Sequence, residues 1–365
     1  MFKTLYLMKI LLRYILILII FFSVCEFFSY LFFPKFRENL IFYQKEIPYI
    51  KVSKGINHYF NRLDEFLIRV KNYKDPVVIK NSKNIWFLGD SVSAGYGEKF
   101  EDIYYNVLSK SLEEKGKKFN IIPIASYGNS STDLANNLNK IKKYIKSNDI
   151  IIYQFNYNDI VDINRSDINI ETRKHKVKDN LLTNIIHSTS KFRYKYLNHS
   201  VFLKVLQHYA GIFARKTNGT CAERKFDALG PFYTYSFFAE GFEDKSEKLW
   251  NNFKENILEM KNIATTLDVK FALLIVPTSL QLKNHFKTNK LNYDLNCSTK
   301  NPHKFLIDIL SNENIDYIDP LNDFINYDQK YYNLFHLYDT NHPNKKGHKI
   351  LAETIYDFFD DKKFN

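Results

Sequence analysis

Short, continuous apolar runs alternate with longer amphipathic stretches from about residue 84 to the end of the chain. The runs predict buried strands at residues 84–89, 119–125, 149–155, 269–276 and 315–318. The stretches between and after them predict helices at residues 104–115, 132–146, 245–267, 304–313 and from Pro343 onward. Strands that are apolar throughout and separated by helices are typical of a parallel sheet covered on both faces. The pattern therefore predicts a three-layer α/β/α domain with a mostly parallel five-stranded sheet.

Two parts of the chain depart from this alternation. Residues 35–82 are mixed and charged, and we interpret them as a stalk or packing arm with short helices around residues 59–70. A basic, aromatic-rich stretch, about residues 160–243, interrupts the alternation and is predicted to be a cap-like insertion. The main domain is accordingly expected to span residues 83–365 with the insertion included.

A third feature is an apolar run close to the N-terminus, from residue 14 to residue 33, broken only by Glu26. This run is about as long as the ~20 residues that a membrane-spanning helix needs. The basic residues ahead of it predict a cytoplasmic tip and a membrane anchor over residues 1–34, with the rest of the chain on the other side. A cleaved signal peptide and a lipoprotein acylated on Cys25 are alternatives, and both also place the main domain beyond the membrane.

Composition and charge limit the classes of molecule that the 365-residue chain is expected to bind. A content of 45% hydrophobic and 16% aromatic residues excludes disorder over most of the length. The net charge of +12 would suit an anionic partner, but the basic residues are scattered and no nucleic-acid-binding signature accompanies them, so no nucleic acid is expected. Cys25, Cys221 and Cys297 have neither CxxC nor metal-ligand spacing. Whether Cys221 and Cys297 form a disulfide stays open.

The motif GDSVSAGYG, residues 89–97, directly follows the first predicted strand of the sheet. In an open parallel sheet ligands bind beyond the carboxyl ends of the strands, so Ser91 is expected to face the crevice, with a helix N-terminus behind it. A serine in this position suits a nucleophile. Alternatively, Asp90 and Ser91 could cap the following helix.

The motif DTNHPNKKGH, residues 339–348, precedes the last predicted helix. The spacing of Asp339 and His342 lets the carboxylate hydrogen-bond the imidazole and set its tautomer, although an exposed histidine at a helix N-terminus would suit the same residues. A metal site of Asp339, His342 and His348 would leave the serine motif unexplained, so no metal is expected and His348 is interpreted as a packing or capping helix residue. The two motifs at one sheet edge favour a catalytic triad of Ser91, Asp339 and His342.

Together these motifs resemble the SGNH (GDSL-like) hydrolases over about residues 84–159 and 245–361. GDSVSAGYG is similar to the nucleophile block of that family and DTNHPNKKGH to its final Asp-x-x-His block, while SYGNSSTDL and NYND are similar to the two blocks between them. The resemblance implies an oxyanion hole made of the Ser91 and Gly128 backbone N–H groups and the Asn158 side chain. The chain departs from the family at Asn156, where a glycine is usual.

The resemblance implies a serine esterase that needs no cofactor, and the N-terminal apolar run is expected to anchor this esterase to a membrane. His342 would take the proton of Ser91, and Asp339 would orient His342. The expected substrate is an acylated carbohydrate of the cell envelope or a lipid ester, and a deacetylase is one form of this activity. An O-acyltransferase with the same triad and a catalytically silent binding protein of the same fold are the alternatives.

Overall fold

The structure is a computed structural model that describes residues 2–32, 41–43, 51–53, 59–70, 83–162, 200–203, 205–206, 243–278, 281–282, 302–327, 334–336 and 341–360. Most of the predicted insertion, Cys221 and Cys297 lie outside the described residues. Whether the two cysteines pair stays open, and the division of the chain at residues 34 and 82 stays a prediction.

The helices and strands are numbered in chain order. The strands are β1 (Ile41–Tyr43), β2 (Lys51–Ser53), β3 (Tyr59–Leu63), β4 (Phe66–Val70), β5 (Lys83–Gly89), β6 (Phe119–Ala125), β7 (Ile150–Phe155), β8 (Lys270–Ile275) and β9 (Asp316–Ile318). The helices are α1 (Phe2–Phe32), α2 (Tyr104–Glu114), α3 (Ser131–Ile141), α4 (Asn158–Asp162), α5 (Glu243–Thr266), α6 (Pro302–Asn312), α7 (Leu321–Tyr327) and α8 (Lys345–Phe358). Short 3₁₀ helices lie at Phe100–Asp102 and Lys142–Tyr144.

Five of the strands form one parallel sheet in the order β6-β5-β7-β8-β9. Numbered within the sheet, this order is 2-1-3-4-5, the flavodoxin-like arrangement of doubly wound folds. In such a sheet the direction of winding changes beside the first strand, and ligands bind at the carboxyl ends of the strands at that point. The switch point here lies between β5 and β7. The predicted sheet and fold class are confirmed.

The sheet separates two hydrophobic cores because successive side chains of a strand point to opposite faces. On β5, Trp86 and Leu88 pack on one face together with α3, α5 and α6. Ile85 and Phe87 pack on the other face together with α2, α7 and α8. Each core buries apolar side chains from several elements, at about 25 cal/mol per Å² of apolar surface, which is the main term that stabilises the three layers.

Residues 59–70 form a β-hairpin, so the short helices expected there are wrong. β3 and β4 pair antiparallel around a two-residue loop, and Asp64 in that loop adopts a positive φ of 52°. Two five-residue strands joined by a two-residue loop satisfy their backbone hydrogen bonds without a helix. Ile68 of β4 is 2% exposed and belongs to the core that contains Trp86. The hairpin therefore packs on the α/β domain.

The closing helix, α8, begins two residues later than predicted. Asn344 is the N-cap, and its side-chain oxygen accepts hydrogen bonds from Lys346 N and Gly347 N. This cap satisfies N–H groups that the first turn of a helix leaves without partners, which is why the helix starts here. Pro343 lies ahead of the helix in an isolated antiparallel bridge with Phe335.

Among the described residues, one stretch of helix is long and apolar enough to cross a membrane. It is Leu12–Phe32 in α1, with a mean hydropathy of 2.4. Its apolar side chains are largely exposed, for example Leu12 and Phe32 at 70% each. Large exposed apolar surfaces of this kind mark contacts with other molecules or with lipid.

Candidate active site

Ser91 lies in a tight turn at the carboxyl end of β5, at the switch point of the sheet. The Asp90 carboxylate accepts a hydrogen bond from Val92 N at 2.9 Å, which closes the start of the turn. Gly95 and Gly97 have positive φ angles of 73° and 74°, so the chain cannot continue as a helix. Residues 91–97 therefore form successive turns, and the helix N-terminus expected directly behind Ser91 is wrong because α2 begins only at residue 104.

Gln154, on the neighbouring strand β7, hydrogen-bonds three groups of this turn. Its Oε1 accepts hydrogen bonds from Asp90 N at 3.3 Å, from Ser93 N at 3.2 Å and from Ser93 Oγ at 2.8 Å. The approach is so close that a Cβ on Gly89 would lie 2.6 Å from Gln154 Oε1 and 2.2 Å from Ser93 Oγ. Only glycine therefore fits at position 89 of the GDS motif, because a side chain there would overlap Gln154 and Ser93.

Arg69 holds the far side of the turn from the β3–β4 hairpin. Its guanidinium donates to the carbonyl oxygens of Ala94 at 3.2 Å, Gly95 at 3.1 Å and Glu98 at 2.7 Å. The side chain is buried, and this burial lowers the pKa of the guanidinium from its usual value. An arginine that remains in a buried position normally has such charge-assisted hydrogen bonds. Sequence reasoning missed it because the hairpin carries no motif.

His342 reaches Ser91 across the sheet edge. Its Nε2 lies 2.7 Å from Ser91 Oγ, although the two residues are 251 positions apart in the chain. The ring of Tyr96 stacks on the imidazole with a centroid distance of 4.1 Å and an interplanar angle of 23°. The structure thus brings together two members of the predicted triad and adds an aromatic ring that the sequence analysis did not single out.

The backbone around His342 has two further supports. The Asn156 side chain, which is buried at the end of β7, donates from Nδ2 to the carbonyl oxygen of Asn341 at 3.2 Å. The backbone N–H of His336 donates to the carbonyl oxygen of His342 at 3.0 Å. The residue that replaces the usual glycine of the family motif is therefore in contact with the segment that carries His342.

His336 also ties this segment to the Ser91 turn. Its Nε2 lies 3.0 Å from the carbonyl oxygen of Tyr96 and 3.2 Å from Glu98 Oε1. Both His336 and Glu98 have little exposed side-chain surface, 12% and 9%. These contacts are shielded from solvent, and they join the segment that carries His342 to the end of the Ser91 turn.

The two other residues predicted for the oxyanion hole follow the strands on either side of β5. Gly128 follows β6 with a positive φ of 76°, a conformation that favours glycine. Its loop is joined to the Ser91 turn by Asn129 Nδ2, which donates to the Gly89 carbonyl oxygen at 3.0 Å. Asn158 follows β7, and its Nδ2 donates to Asp90 Oδ2 at 3.2 Å. Both residues therefore lie beside the Ser91 turn.

Asp339 lies outside the described residues, so its predicted contact with His342 stays a prediction. Among the described residues no group of three or more His, Cys, Asp or Glu side chains is placed to hold a metal ion.

His348 lies buried on α8. Its ring stacks on Tyr104 with an interplanar angle of 5°, and its Nδ1 accepts a hydrogen bond from Tyr104 N at 3.3 Å. Burial lowers the pKa of His348 to about 3, so the ring is neutral at ordinary pH. The interpretation of His348 as a packing helix residue is confirmed.

Comparison with protein-family models and with curated proteins finds no match. Among similar solved structures, a lipolytic protein of the G-D-S-L family from Veillonella parvula aligns at a TM-score of 0.40 and 13% identity, over 76% of this chain and 99% of that one. An acetyl xylan esterase aligns at 0.39 and 17% identity, over 75% and 98%. A lipase/acylhydrolase from Enterococcus faecalis aligns at 0.37 and 12% identity, over 77% and 96%. Proteins of the GDSL family are thus among the structures similar to this chain, in agreement with its motifs.

Proposed function

We propose that this chain is a membrane-anchored serine hydrolase that acts on ester bonds, with Ser91 as the nucleophile and His342 as the general base. The observation that carries the proposal is the 2.7 Å contact between Ser91 Oγ and His342 Nε2 at the switch point of the sheet. A hydroxyl in hydrogen-bond contact with an imidazole is the arrangement that activates a serine for attack on a carbonyl. Its position beyond the carboxyl end of β5 is where this kind of sheet binds ligands.

In the proposed reaction His342 Nε2 accepts the proton of Ser91 Oγ while that oxygen forms a bond to the ester carbonyl carbon. The carbonyl oxygen takes up the negative charge of the tetrahedral intermediate. When the intermediate collapses, the ester C–O bond breaks, the alcohol leaves with the proton from His342, and the acyl group stays on Ser91. Water then attacks the acyl-enzyme in the same way, releases the carboxylic acid and restores the serine hydroxyl.

We assign the developing oxyanion to the backbone N–H groups of Ser91 and Gly128 and to the side-chain amide of Asn158. Each donor of this type typically lowers the barrier by ~3 kcal/mol. The assignment is supported by the position of Gly128 and Asn158 just beyond the carboxyl ends of the strands that flank β5, and by the Asn158 contact with Asp90 beside the nucleophile. Asp339 is assigned the orientation of His342, on the strength of its spacing from the histidine.

The stack of Tyr96 on His342 supports the role of the histidine as a base. A ring face next to an imidazole restricts its rotation and attracts the imidazolium that forms when the histidine takes the proton. Such a contact contributes about 0.5–2 kcal/mol, depending on how far water is excluded.

We further propose that α1 is retained as a single-pass anchor, with the catalytic domain on the extracytoplasmic side. The length and hydropathy of Leu12–Phe32 support it, and so do the contacts of Glu26 with residues of the insertion, because a cleaved leader would lose them. N-terminal sequencing of the protein extracted from membranes tests this: a chain that starts at residue 1 or 2 is expected. A mature chain that begins near Glu26 would contradict it.

The substrate is proposed to be an acylated carbohydrate of the cell envelope or a lipid ester. The aromatic content of residues 160–243 supports a carbohydrate, because aromatic side chains offer flat apolar faces with polar tips to a sugar ring. The extracytoplasmic position would give the site access to either class.

The test of the function is a serine-reactive probe together with an ester panel, on the full chain in detergent. A fluorophosphonate is expected to label the parent protein at Ser91 and to leave Ser91→Ala unlabelled. Acetyl, short-chain and long-chain esters then report the acyl preference, and adding acceptor glycans separates hydrolysis from acyl transfer. A folded parent protein that takes up no probe and cleaves no ester of the panel would leave the catalytically silent binding protein as the better explanation.

A further inference from the structure

α1 contains one carboxylate, Glu26, in the stretch that the membrane would enclose. Its two carboxylate oxygens accept three hydrogen bonds from the region that the sequence analysis interpreted as a cap-like insertion. Ser200 Oγ donates to Oε2 at 2.5 Å, Val201 N donates to Oε1 at 2.7 Å, and Phe202 N donates to Oε2 at 3.1 Å. We call Ser200 together with the helical residues 201–203 and 205–206 the docking segment.

The contact involves one face of α1. Phe22, Glu26 and Ser29 are spaced at three and four residues, so they lie on the same side of the helix. The Phe22 ring meets the Phe202 ring edge to face at a centroid distance of 6.0 Å. Ser29 is 6% exposed, whereas Phe21 and Phe28 on other sides are 55% and 51% exposed. α1 therefore has a protein-contacting face in its second half and remains exposed elsewhere.

The depth of this contact follows from helix geometry. With a rise of 1.5 Å per residue, Leu12–Phe32 spans about 30 Å, which matches the hydrocarbon thickness of a bilayer. Phe22 is then about 15 Å from either end, at the middle of the bilayer, and Glu26 is about 9 Å from the outer end. Because Phe202 packs against Phe22, the docking segment reaches from the level of Glu26 towards the middle of the same bilayer.

The chemistry of the contact suits that depth. A carboxylate in hydrocarbon is costly unless it is paired or hydrogen-bonded, and the first N–H groups of a helix are equally costly without acceptors. Here the Glu26 carboxylate accepts hydrogen bonds from the first N–H groups of the docking segment, so both costs are avoided. Ser200 Oγ additionally accepts a hydrogen bond from Leu203 N at 3.1 Å. The remaining side chains described in the segment are apolar, and Leu206 is 47% exposed.

We propose that the docking segment enters the outer leaflet of the bilayer, where Glu26 binds it to the anchor helix. The lipid hydrocarbon is the partner of its exposed apolar side chain, that of Leu206, whereas Val201 and Val205 are buried. This inference rests on the proposed anchor, and it adds that the docking segment is membrane-embedded as well. The enzyme would then be attached to the membrane at two points, α1 and the docking segment.

The experiment measures the depth of single tryptophans by quenching with lipids brominated near the end of their acyl chains. The full chain is reconstituted in phosphatidylcholine vesicles, and the parent protein, whose Trp86 and Trp250 are buried in the domain, gives the background emission. Phe202→Trp reports the docking segment and Phe22→Trp reports the anchor. Tyr327→Trp, at a position that is 48% exposed on α7, is the matched control in water.

The added emission of Phe202→Trp is expected to be lost to the same degree as that of Phe22→Trp, while that of Tyr327→Trp is retained. Quenching of Phe22→Trp without quenching of Phe202→Trp would overturn the proposal and leave the anchor intact. Failure of Phe22→Trp to be quenched would reject the anchor, and this inference with it.

A second set of variants tests the role of Glu26. Glu26→Leu removes both acceptor oxygens and is expected to reduce the quenching of Phe202→Trp without changing that of Phe22→Trp. Glu26→Gln keeps one acceptor oxygen and should give an intermediate loss. Equal quenching of Phe202→Trp in all three backgrounds would show that Glu26 does not hold the segment.

Discussion

The turn that carries Ser91 and the segment that carries His342 meet at the Ser91–His342 contact and at the contacts of Tyr96 and His336, but they are supported in different ways. The Ser91 turn leaves β5 directly, and the buried side chains of Gln154 and Arg69 hydrogen-bond six groups in and beside it. His342 lies next to Pro343, which forms a bridge with Phe335, and shortly before α8. Its neighbouring backbone is supported by long-range contacts such as that from Asn156.

The serine and the histidine are therefore held in position by different kinds of contact. The position of the serine hydroxyl follows from the strand that precedes it and from a compact turn of glycines and a capping aspartate. The position of the imidazole depends on contacts made by residues from other parts of the chain. We therefore expect the Ser91 side to tolerate the loss of single contacts at a cost in stability, and the His342 side to lose activity before it loses stability.

Removing either end of the Ser91–His342 contact has the largest expected effect. Ser91→Ala deletes the nucleophile and His342→Ala deletes the base, so each should lower kcat by several powers of ten. The double variant should be little worse than either single variant because the two groups act as a unit. Steady-state kinetics on an activated acetyl ester measure this, with Ser111→Ala on α2 as the matched control. Full activity of a folded Ser91→Ala protein would reject the serine-hydrolase proposal.

Asn158→Ala tests the donor beside the Ser91 turn. Loss of an oxyanion donor should lower kcat by about 10² to 10³ with little change in KM, because the donor acts on the transition state. Asn262→Ala, at an exposed position of α5, is the control and should be as active as the parent. A change confined to KM would show that Asn158 binds the substrate without stabilising the oxyanion.

Arg69→Met weakens the Ser91 side alone. The substitution keeps the apolar length of the side chain but leaves the carbonyl groups of Ala94, Gly95 and Glu98 without their donor. We expect the free energy of unfolding to fall by about 3 kcal/mol, given ~1–3 kcal/mol for each buried group left unsatisfied and partial relaxation of the turn. Denaturant unfolding followed by circular dichroism measures it. Arg62→Met, in the same hairpin but exposed, should change stability by little.

Asn156→Ala weakens the His342 side alone and has the smallest expected effect. Loss of the hydrogen bond to the Asn341 carbonyl oxygen should let the histidine segment shift, and we expect kcat to fall about tenfold, which corresponds to ~1.4 kcal/mol in the barrier. Asn156→Gly, which restores the residue usual in the family, should be equally impaired. If Asn156→Gly matches the parent in kcat, the asparagine has no positioning role.

The parallel sheet was predictable from the sequence because continuous apolar runs mark buried strands. The contact of Ser91 with His342 at the sheet edge agrees with the motifs, each of which directly follows or precedes a predicted element. The helices predicted for residues 59–70 are wrong, because the two-residue loop at Asp64 and Glu65 joins two strands. The conformation predicted behind Ser91 is also wrong, because Gly95 and Gly97 prevent a helix there.

The sequence by itself therefore determined the order of the strands along the chain, the apolar character of α1 and the residue types at the site. Only the tertiary structure decided that Arg69 supports the nucleophile turn, that Tyr96 stacks on His342 and that Glu26 binds the docking segment. The physical reason is that these contacts join residues far apart in the chain. Their energy comes from burial and hydrogen bonding in the folded state, which no short-range spacing records.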